Sequence, residues 1–305
     1  MARLYILNPN ENNISDLQMS DLKKVYSEII YVDKVMDFSA LPKISDDTEK
    51  VIAIDPDFCN WKIPNSALDI NGLKAICLDT TSYSWVDLDY AKQKNIVITN
   101  IRNYCTNSVA EYGILMAFML ARKIPLLAQN NMQINFATML GSELCGKTAG
   151  IIGLGHIGTR LCELCQGLGM NVVYWSAHSR NEKFKFVELE QLFKESDVVF
   201  PALSKNKDTE KIITDELLSS MKAEAIFCEI TGNFLYNHNL MINLAKNNKI
   251  GGYGLEESDG IKYTGNILSL PPVAYYTAES MERLTQQWTE CIISIFDDAA
   301  KNKVY

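Results

Sequence analysis

Short apolar runs alternate with amphipathic stretches along the whole chain. Leu4-Tyr5-Ile6-Leu7, Val51-Ile52-Ala53-Ile54-Asp55, Leu73-Lys74-Ala75-Ile76-Cys77-Leu78 and Ile96-Val97-Ile98-Thr99 are short and nearly unbroken in hydrophobicity. A strand apolar at successive positions is buried on both faces, as in a parallel sheet covered by helices. Between the last two runs, Val86 to Lys94 starts acidic and ends basic, which suits a short helix and its dipole. A longer helix is expected from Ser108 to Ala121, with Val109, Tyr112, Leu115, Met116 and Met119 roughly along one face. Gln129 to Gly146 has weak periodicity and reads as a connection or short helices.

From Thr148 the alternation resumes. Strands are expected at Ala149 to Leu154, Asn171 to Trp175, Asp197 to Ala202, Ala225 to Ile230 and Gly251 to Leu255, and a long amphipathic helix from about Thr277 to Asp298. Two such runs predict an α/β protein with two doubly wound parallel-sheet domains.

Composition narrows the class. With 47% hydrophobic and 22% charged residues the chain is globular, and its 305 residues allow one or two full cores. A net charge of −8 with no Lys/Arg run argues against a nucleic-acid partner. The most apolar stretch, Gly113 to Ala121, is too short to span a bilayer, so no membrane role is expected. Cys77, Cys162, Cys165 and Cys228 fall inside apolar elements, where cysteine acts as a small hydrophobe, and a reducing cytoplasm is the expected setting. Cys162 and Cys165 form a single C-x-x-C inside a helix, too few ligands for a zinc site, and no metal is expected.

Gly153-Leu154-Gly155-His156-Ile157-Gly158 lies between the strand Ala149-Gly150-Ile151-Ile152 and the helical pattern Thr159 to Gly167. In a strand-to-helix turn the first glycine permits the turn and the second admits a pyrophosphate. The third lets helix and strand pack closely, and the helix N-terminus faces the anion. A Rossmann cofactor domain is expected, with His156 beside the pyrophosphate. An NAD enzyme places Asp or Glu at the end of the next strand, whereas this chain has Ser176-Ala177-His178-Ser179-Arg180. Hydroxyls and a guanidinium suit a 2′-phosphate, so NADP is expected ahead of NAD.

Several segments resemble the D-isomer-specific 2-hydroxyacid dehydrogenase family. They are Val86-Asp87-Leu88-Asp89-Tyr90-Ala91, Ile98-Thr99-Asn100, Ser108-Val109-Ala110-Glu111-Tyr112, and the run Glu143 to Gly155 that enters the glycine turn. Asp208-Thr209 followed by Leu217-Leu218-Ser219-Ser220-Met221-Lys222 completes the set. The resemblance implies a Rossmann domain (103–270) inserted in a flavodoxin-like substrate domain (1–102 and 271–305). Leu203, Ser204, Thr209, Ile230, Thr231 and Glu256 are expected to line the rest of the cofactor site. Substrate is expected between the domains, near Thr80-Thr81-Ser82, whose backbone N–H groups can hold a carboxylate, and near Arg102 and Tyr275. A homodimer packed through Tyr112 to Gly146 is implied as well.

The family's chemistry uses a histidine to protonate the carbonyl oxygen, a glutamate to support it and an arginine to polarise the carbonyl. Aligned without gaps, the arginine position falls on Gly232, the glutamate position on or near Ile261 and the histidine position on Pro272. The histidines are His156, His178 and His238 alone, and after Lys183 the one arginine is Arg283. A general acid contributes roughly 10²- to 10⁴-fold and an electrostatic stabiliser on the order of 10²- to 10³-fold. Losing both removes the standard reduction of a 2-keto acid unless something replaces them. Tyr275 and Tyr276 are candidates, with aromatic packing as the alternative. Glu229 is another, with a solvated strand end as the alternative. The expected activity is NADP(H)-dependent reduction of a small carbonyl or related compound through a non-standard site. The rival from another class is a catalytically degenerate NADP(H)-binding sensor or partner protein.

Overall fold

The computed structural model describes residues 2–9 and 14–305. Two units result, Met1–Tyr104 with Thr277–Tyr305, and Cys105–Tyr276. The divisions expected after residues 102 and 270 lie a few residues later, which assigns Tyr275 and Tyr276 to the second unit.

In the first unit β1 (Arg3–Leu7), β2 (Glu28–Val32), β3 (Lys50–Ile54), β4 (Leu73–Leu78) and β5 (Val97–Thr99) pair in parallel in the order β2-β1-β3-β4-β5. This is the flavodoxin-like order. β1 and β3 are buried at every position, as their unbroken hydrophobicity requires, whereas the edge strand β2 is only partly covered. The helix Leu88–Gln93 begins where Asp87 caps it, the side chain accepting from Tyr90 N at 2.9 Å. The long helix is shorter than its pattern. It spans Ala278–Ile293 and passes into a 3₁₀ turn at Ser294–Phe296. Trp288, fully buried, fastens it to β4 by donating Nε1–H to Cys77 O at 2.9 Å. Beyond it, Lys303 bridges to Thr99 and Val304 N donates to Ile98 O at 2.9 Å, so this segment borders β5.

The second unit holds β6 (Thr148–Ile152), β7 (Asn171–Trp175), β8 (Lys185–Phe186), β9 (Val198–Pro201), β10 (Ile226–Cys228), β11 (Gly252–Glu256) and β12 (Ile267–Leu270). Their order is β12-β11-β10-β9-β6-β7-β8, with all registers parallel. The chain starts in the middle, runs to one edge and returns past its start to the other, as in a Rossmann sheet with one added strand. The order reverses between β6 and β9, and ligands bind beyond the carboxyl ends of strands at such a point. The helix Thr106–Ala121 lies on β10 and β11 with Ala110, Gly113, Met116, Ala117 and Leu120 buried. Close approach is required there, because a Cβ on Gly113 would stand 3.3 Å from Ile230 Cγ2. Among the described residues no helix is long and apolar enough to cross a membrane.

Candidate functional site

The glycine turn divides its three positions by the space around them. Gly153 has φ +101°, and a Cβ there would lie 2.7 Å from Ala202 O, so only glycine makes this bend. A Cβ on Gly158 would stand 1.9 Å from Gly153 O, which seats the helix His156–Gly167 directly on the strand exit. Around Gly155 nothing lies within 4 Å of the Cβ position. Gly155 is also the N-cap, with no side chain to satisfy the first N–H groups of the helix. Beside it opens a cavity of about 510 Å³ lined by Leu154, Gly155, His156, Thr159, Arg160 and Ser179 among others. Bare backbone, uncapped donors and free space together fit a dinucleotide pyrophosphate. Ile157 packs its side chain against the core.

His156, Thr159, Arg160 and Glu163 all line this cavity, at i, i+3, i+4 and i+7 of one helix. The sequence reading singled out only His156, although that polar stripe is visible in the spacing. Arg160 Nη1 donates to Glu163 Oε2 at 2.9 Å, while its Nε is buried with no partner among the described residues.

After β7 the chain turns through Ser176. Its buried hydroxyl accepts from Ser179 N at 3.2 Å. Arg180 Nη1 donates to Ser176 O at 2.6 Å and Ser179 O at 2.9 Å, with the guanidinium 4.1 Å from the Phe186 ring centroid. No carboxylate pairs with Arg180 among the described residues. Ala177, His178, Ser179 and Arg180 are exposed. In the loop after β9 Leu203 packs on the core, and Thr209 Oγ1 donates to Ser204 O at 2.7 Å while accepting from Asn206 N at 2.9 Å. The Thr209 hydroxyl therefore closes this loop.

The ends of β10 and β11 hold two carboxyl groups. Glu229 is 1% exposed, so it is not the solvated strand end that was one of its two expected readings. It accepts from Thr231 N at 2.8 Å, from Gly232 N, and from Glu256 N at 3.3 Å. Burial holds it above the usual carboxylate range, and these amides oppose the shift. Glu256 Oε1 accepts from Ala274 N at 3.0 Å. Its carboxyl is pushed up to about 7, chiefly by burial and further by Glu229, against the pull of the Ala274 and Val273 amides. Sequence reasoning placed Glu256 beside the cofactor but not as a group that titrates near neutrality. Tyr112 joins this corner by donating to Pro271 O at 3.1 Å. Ile230 points into the core, and Thr231 Oγ1 donates to Pro201 O at 3.4 Å.

At the three expected catalytic positions, Gly232 has φ +97° and ψ 151°, Ile261 is 47% exposed and Pro272 is exposed. The Gly232 conformation is essentially closed to other residues. Tyr275 and Tyr276 are exposed and stack edge to face with ring centroids 6.1 Å apart. His238 Nδ1 lies 2.8 Å from the Tyr253 hydroxyl, and Arg283, in the first unit, donates to Tyr104 O and Ser280 Oγ. Cys162 and Cys165 are buried core residues with thiols pushed up to about 12 by burial.

In the first unit Thr80 O accepts from Ile101 N and Thr81 O from Asn100 Nδ2 at 2.8 Å, while Ser82 O accepts from Trp85 Nε1 at 2.8 Å. The loop's carbonyls are thus occupied within the unit. Arg102 donates Nε–H to Asn100 Oδ1 at 3.2 Å and Nη2–H to Lys303 O at 2.9 Å, so its guanidinium ties residues of its own unit together. Next to the loop is a group the sequence reading did not single out. Asp79, 8% exposed, is held well above the usual range by burial and by neighbouring Asp55 and Asp57.

A Rossmann sheet with this turn, in a chain that also builds a flavodoxin-like sheet, defines a protein with a nicotinamide-dinucleotide-binding domain. The sequence profile of the D-isomer specific 2-hydroxyacid dehydrogenase NAD binding domain matches residues 114–271, and the chain belongs to that family. A D-lactate dehydrogenase of Staphylococcus epidermidis is 24% identical over 258 residues, covering 75% of this chain and 78% of its own length. Two solved structures extend the likeness in fold to the whole chain. An acyclic imino acid reductase (Bsp5) in complex with NADPH and D-Arg has a TM-score of 0.82 at 24% identity, covering 99% of this chain and 100% of its own. The NAD-complexed D-isomer specific 2-hydroxyacid dehydrogenase of Lactobacillus delbrueckii ssp. bulgaricus has a TM-score of 0.83 at 20% identity, with both chains covered completely.

Proposed function

We propose that the chain is an NADP(H)-dependent oxidoreductase. It reduces a small carbonyl, or a related carbon–nitrogen double bond, in a site that lacks the family's Arg/Glu/His set. The observation that carries this reading is the Glu256 carboxyl held on Ala274 N. It places a group that titrates near neutrality beside the segment that follows Pro272. A carboxyl with a pKa near the working pH can serve either as an acid or, ionised, as a counter-charge, so Glu256 is the residue suited to the place of the family's acid at Pro272.

Residues Gly153, Gly155, His156 and Gly158 hold the pyrophosphate in this reading, and Ser176, Ser179 and Arg180 take the 2′-phosphate. When bound, the reduced nicotinamide supplies a hydride. NADP is favoured because the end of β7 offers hydroxyls and an arginine without a carboxylate partner, and a carboxylate would repel a 2′-phosphate. The imino acid reductase that shares the fold carries NADPH, in line with this choice.

The test is saturable NADPH binding together with NADPH consumption across 2-keto acids, aldehydes and their imines. Turnover with any of them supports the reductase. Tight binding with no consumption would overturn it in favour of a sensor.

A homodimer belongs to the same reading. Met132, Ile134, Phe136 and Leu140 are 67%, 54%, 84% and 85% exposed on one segment of the second unit, and such an apolar run calls for a cover. Sedimentation should give a dimer, and Phe136→Asp with Leu140→Asp should give a monomer.

A further inference from the structure

The charge at the ends of β10 and β11 narrows the substrate class, and this inference rests on the reductase reading above. Glu229 and Glu256 end adjacent strands, joined by the 3.3 Å bond from Glu256 N to Glu229. Neither carboxyl has a cationic partner among the described residues. From Asn181 to Tyr276 the second unit contains no arginine, and its one histidine there, His238, is bonded to Tyr253.

A ketone gaining hydride develops negative charge on oxygen. Beside the ionised forms of these two carboxyl groups, neither of them paired with a cation, that charge is opposed by Coulomb repulsion. A protonated imine has the opposite sign. Its positive charge exists before reaction and disappears during it, so neither an acid nor a cationic polariser is needed at the heteroatom. A neighbouring carboxylate also favours the protonated, electrophilic form of the imine. The loss of His and Arg and the presence of unpaired Glu229 and Glu256 then have a single explanation.

We propose that the substrate is a small protonated imine, with the Glu256 carboxylate as its counter-charge and Glu229 fixing the loop through its backbone N–H groups. The imine carbon accepts a hydride from the reduced nicotinamide dinucleotide, forming a C–H bond. The C=N π pair becomes the nitrogen lone pair, which neutralises the charge. The resulting amine takes a proton from water, and the dinucleotide is left oxidised by two electrons.

Two measurements test this on the full-length protein. The first is calorimetric and needs no turnover. With NADP⁺ present, alanine, 2-aminobutyrate and arginine are each titrated beside the 2-hydroxy acid of the same skeleton. A charge-assisted contact predicts that a cationic amine binds at least about tenfold tighter, and that Glu256→Gln removes the preference. Equal or tighter binding of the hydroxy acids by the unaltered protein overturns the inference, whatever the variant does.

The second follows NADPH oxidation by glyoxylate, pyruvate and 2-oxobutyrate with and without excess ammonium. Consumption that requires ammonium, with an amino acid as product, supports the imine. Consumption indifferent to ammonium, with a hydroxy acid as product, overturns the imine and leaves the reductase standing. No consumption in either case, with NADPH bound, overturns both.

Discussion

Ala274 donates its backbone N–H to Glu256 Oε1 at 3.0 Å, joining the carboxyl end of β11 to the segment after Pro272. One hydrogen bond thus brings a carboxyl group to the chain segment that follows Pro272. A backbone donor does not depend on side-chain identity, so the contact survives changes in the surrounding sequence.

Glu256 makes stability depend on pH in a definite direction. Its folded carboxyl titrates near 7 against an ordinary 4.5, chiefly because burial disfavours the anion. Its favourable contribution is complete below the ordinary value and is lost as pH rises through the folded one. Urea midpoints should therefore fall between about pH 5 and about pH 8. Glu256→Gln should fall less over the same window, and an identical fall would show that Glu256 titrates normally.

The second and third glycines of the turn should separate binding from folding. A methyl at Gly158 meets Gly153 O at 1.9 Å. Gly158→Ala should therefore lose about 1–3 kcal/mol of stability, as overpacking does. At Gly155 a methyl meets no protein atom. Gly155→Ala should cost only about 0.5–1 kcal/mol as a poorer N-cap. It should nevertheless weaken NADPH binding severely, because the methyl stands where the pyrophosphate must approach. Denaturant titration and NADPH fluorescence measure the two effects apart.

Cofactor choice should turn on the end of β7. Arg180→Ala should weaken NADPH by about tenfold to a hundredfold and NADH much less, as expected for a charged hydrogen bond to a phosphate. Ser176→Asp should reverse the preference by repulsion. Equal losses for the two cofactors in Arg180→Ala would mean that Arg180 serves only to hold its own loop through Ser176 O and Ser179 O.

In the first unit, Asp79 is raised by burial and then by Asp55 and Asp57. The sign is again that of a carboxyl whose protonated form suits the fold, so stability declines as pH climbs above the ordinary aspartate range. Asp79→Asn keeps the hydrogen-bonding shape without the charge. It should raise the thermal midpoint at alkaline pH more than at acid pH, and a uniform shift would contradict the assignment.

The sequence was most informative where covalent geometry leaves no choice. Gly153 and Gly158 are required by a bend and a 1.9 Å approach, and the unbroken apolar runs of β1 and β3 are required by burial on both faces. Strands β2, β8 and β12 were missed. β2 and β12 carry polar positions, and all three lie at or near sheet edges, where half of the surface need not be apolar. The helix expected to run to Asp298 stops at Ile293, because Ser294 turns its hydroxyl back to Cys291 O and the chain must return to β5. The titration of Glu256 was illegible for a different reason. It depends on Ala274 and Glu229, 18 and 27 residues away along the chain, and no local pattern records them.

The first unit closes only when residues 277–305 reach it, since Trp288 seals β4 and Lys303 borders β5. Every strand of the nucleotide-binding unit has by then been made. On the ribosome, therefore, the order of assembly inverts the order of synthesis: the middle of the polypeptide can reach its native state while the opening hundred residues still wait for their helix. Contacts so distant in sequence are slow to form, which leaves β4 and β5 uncovered longest.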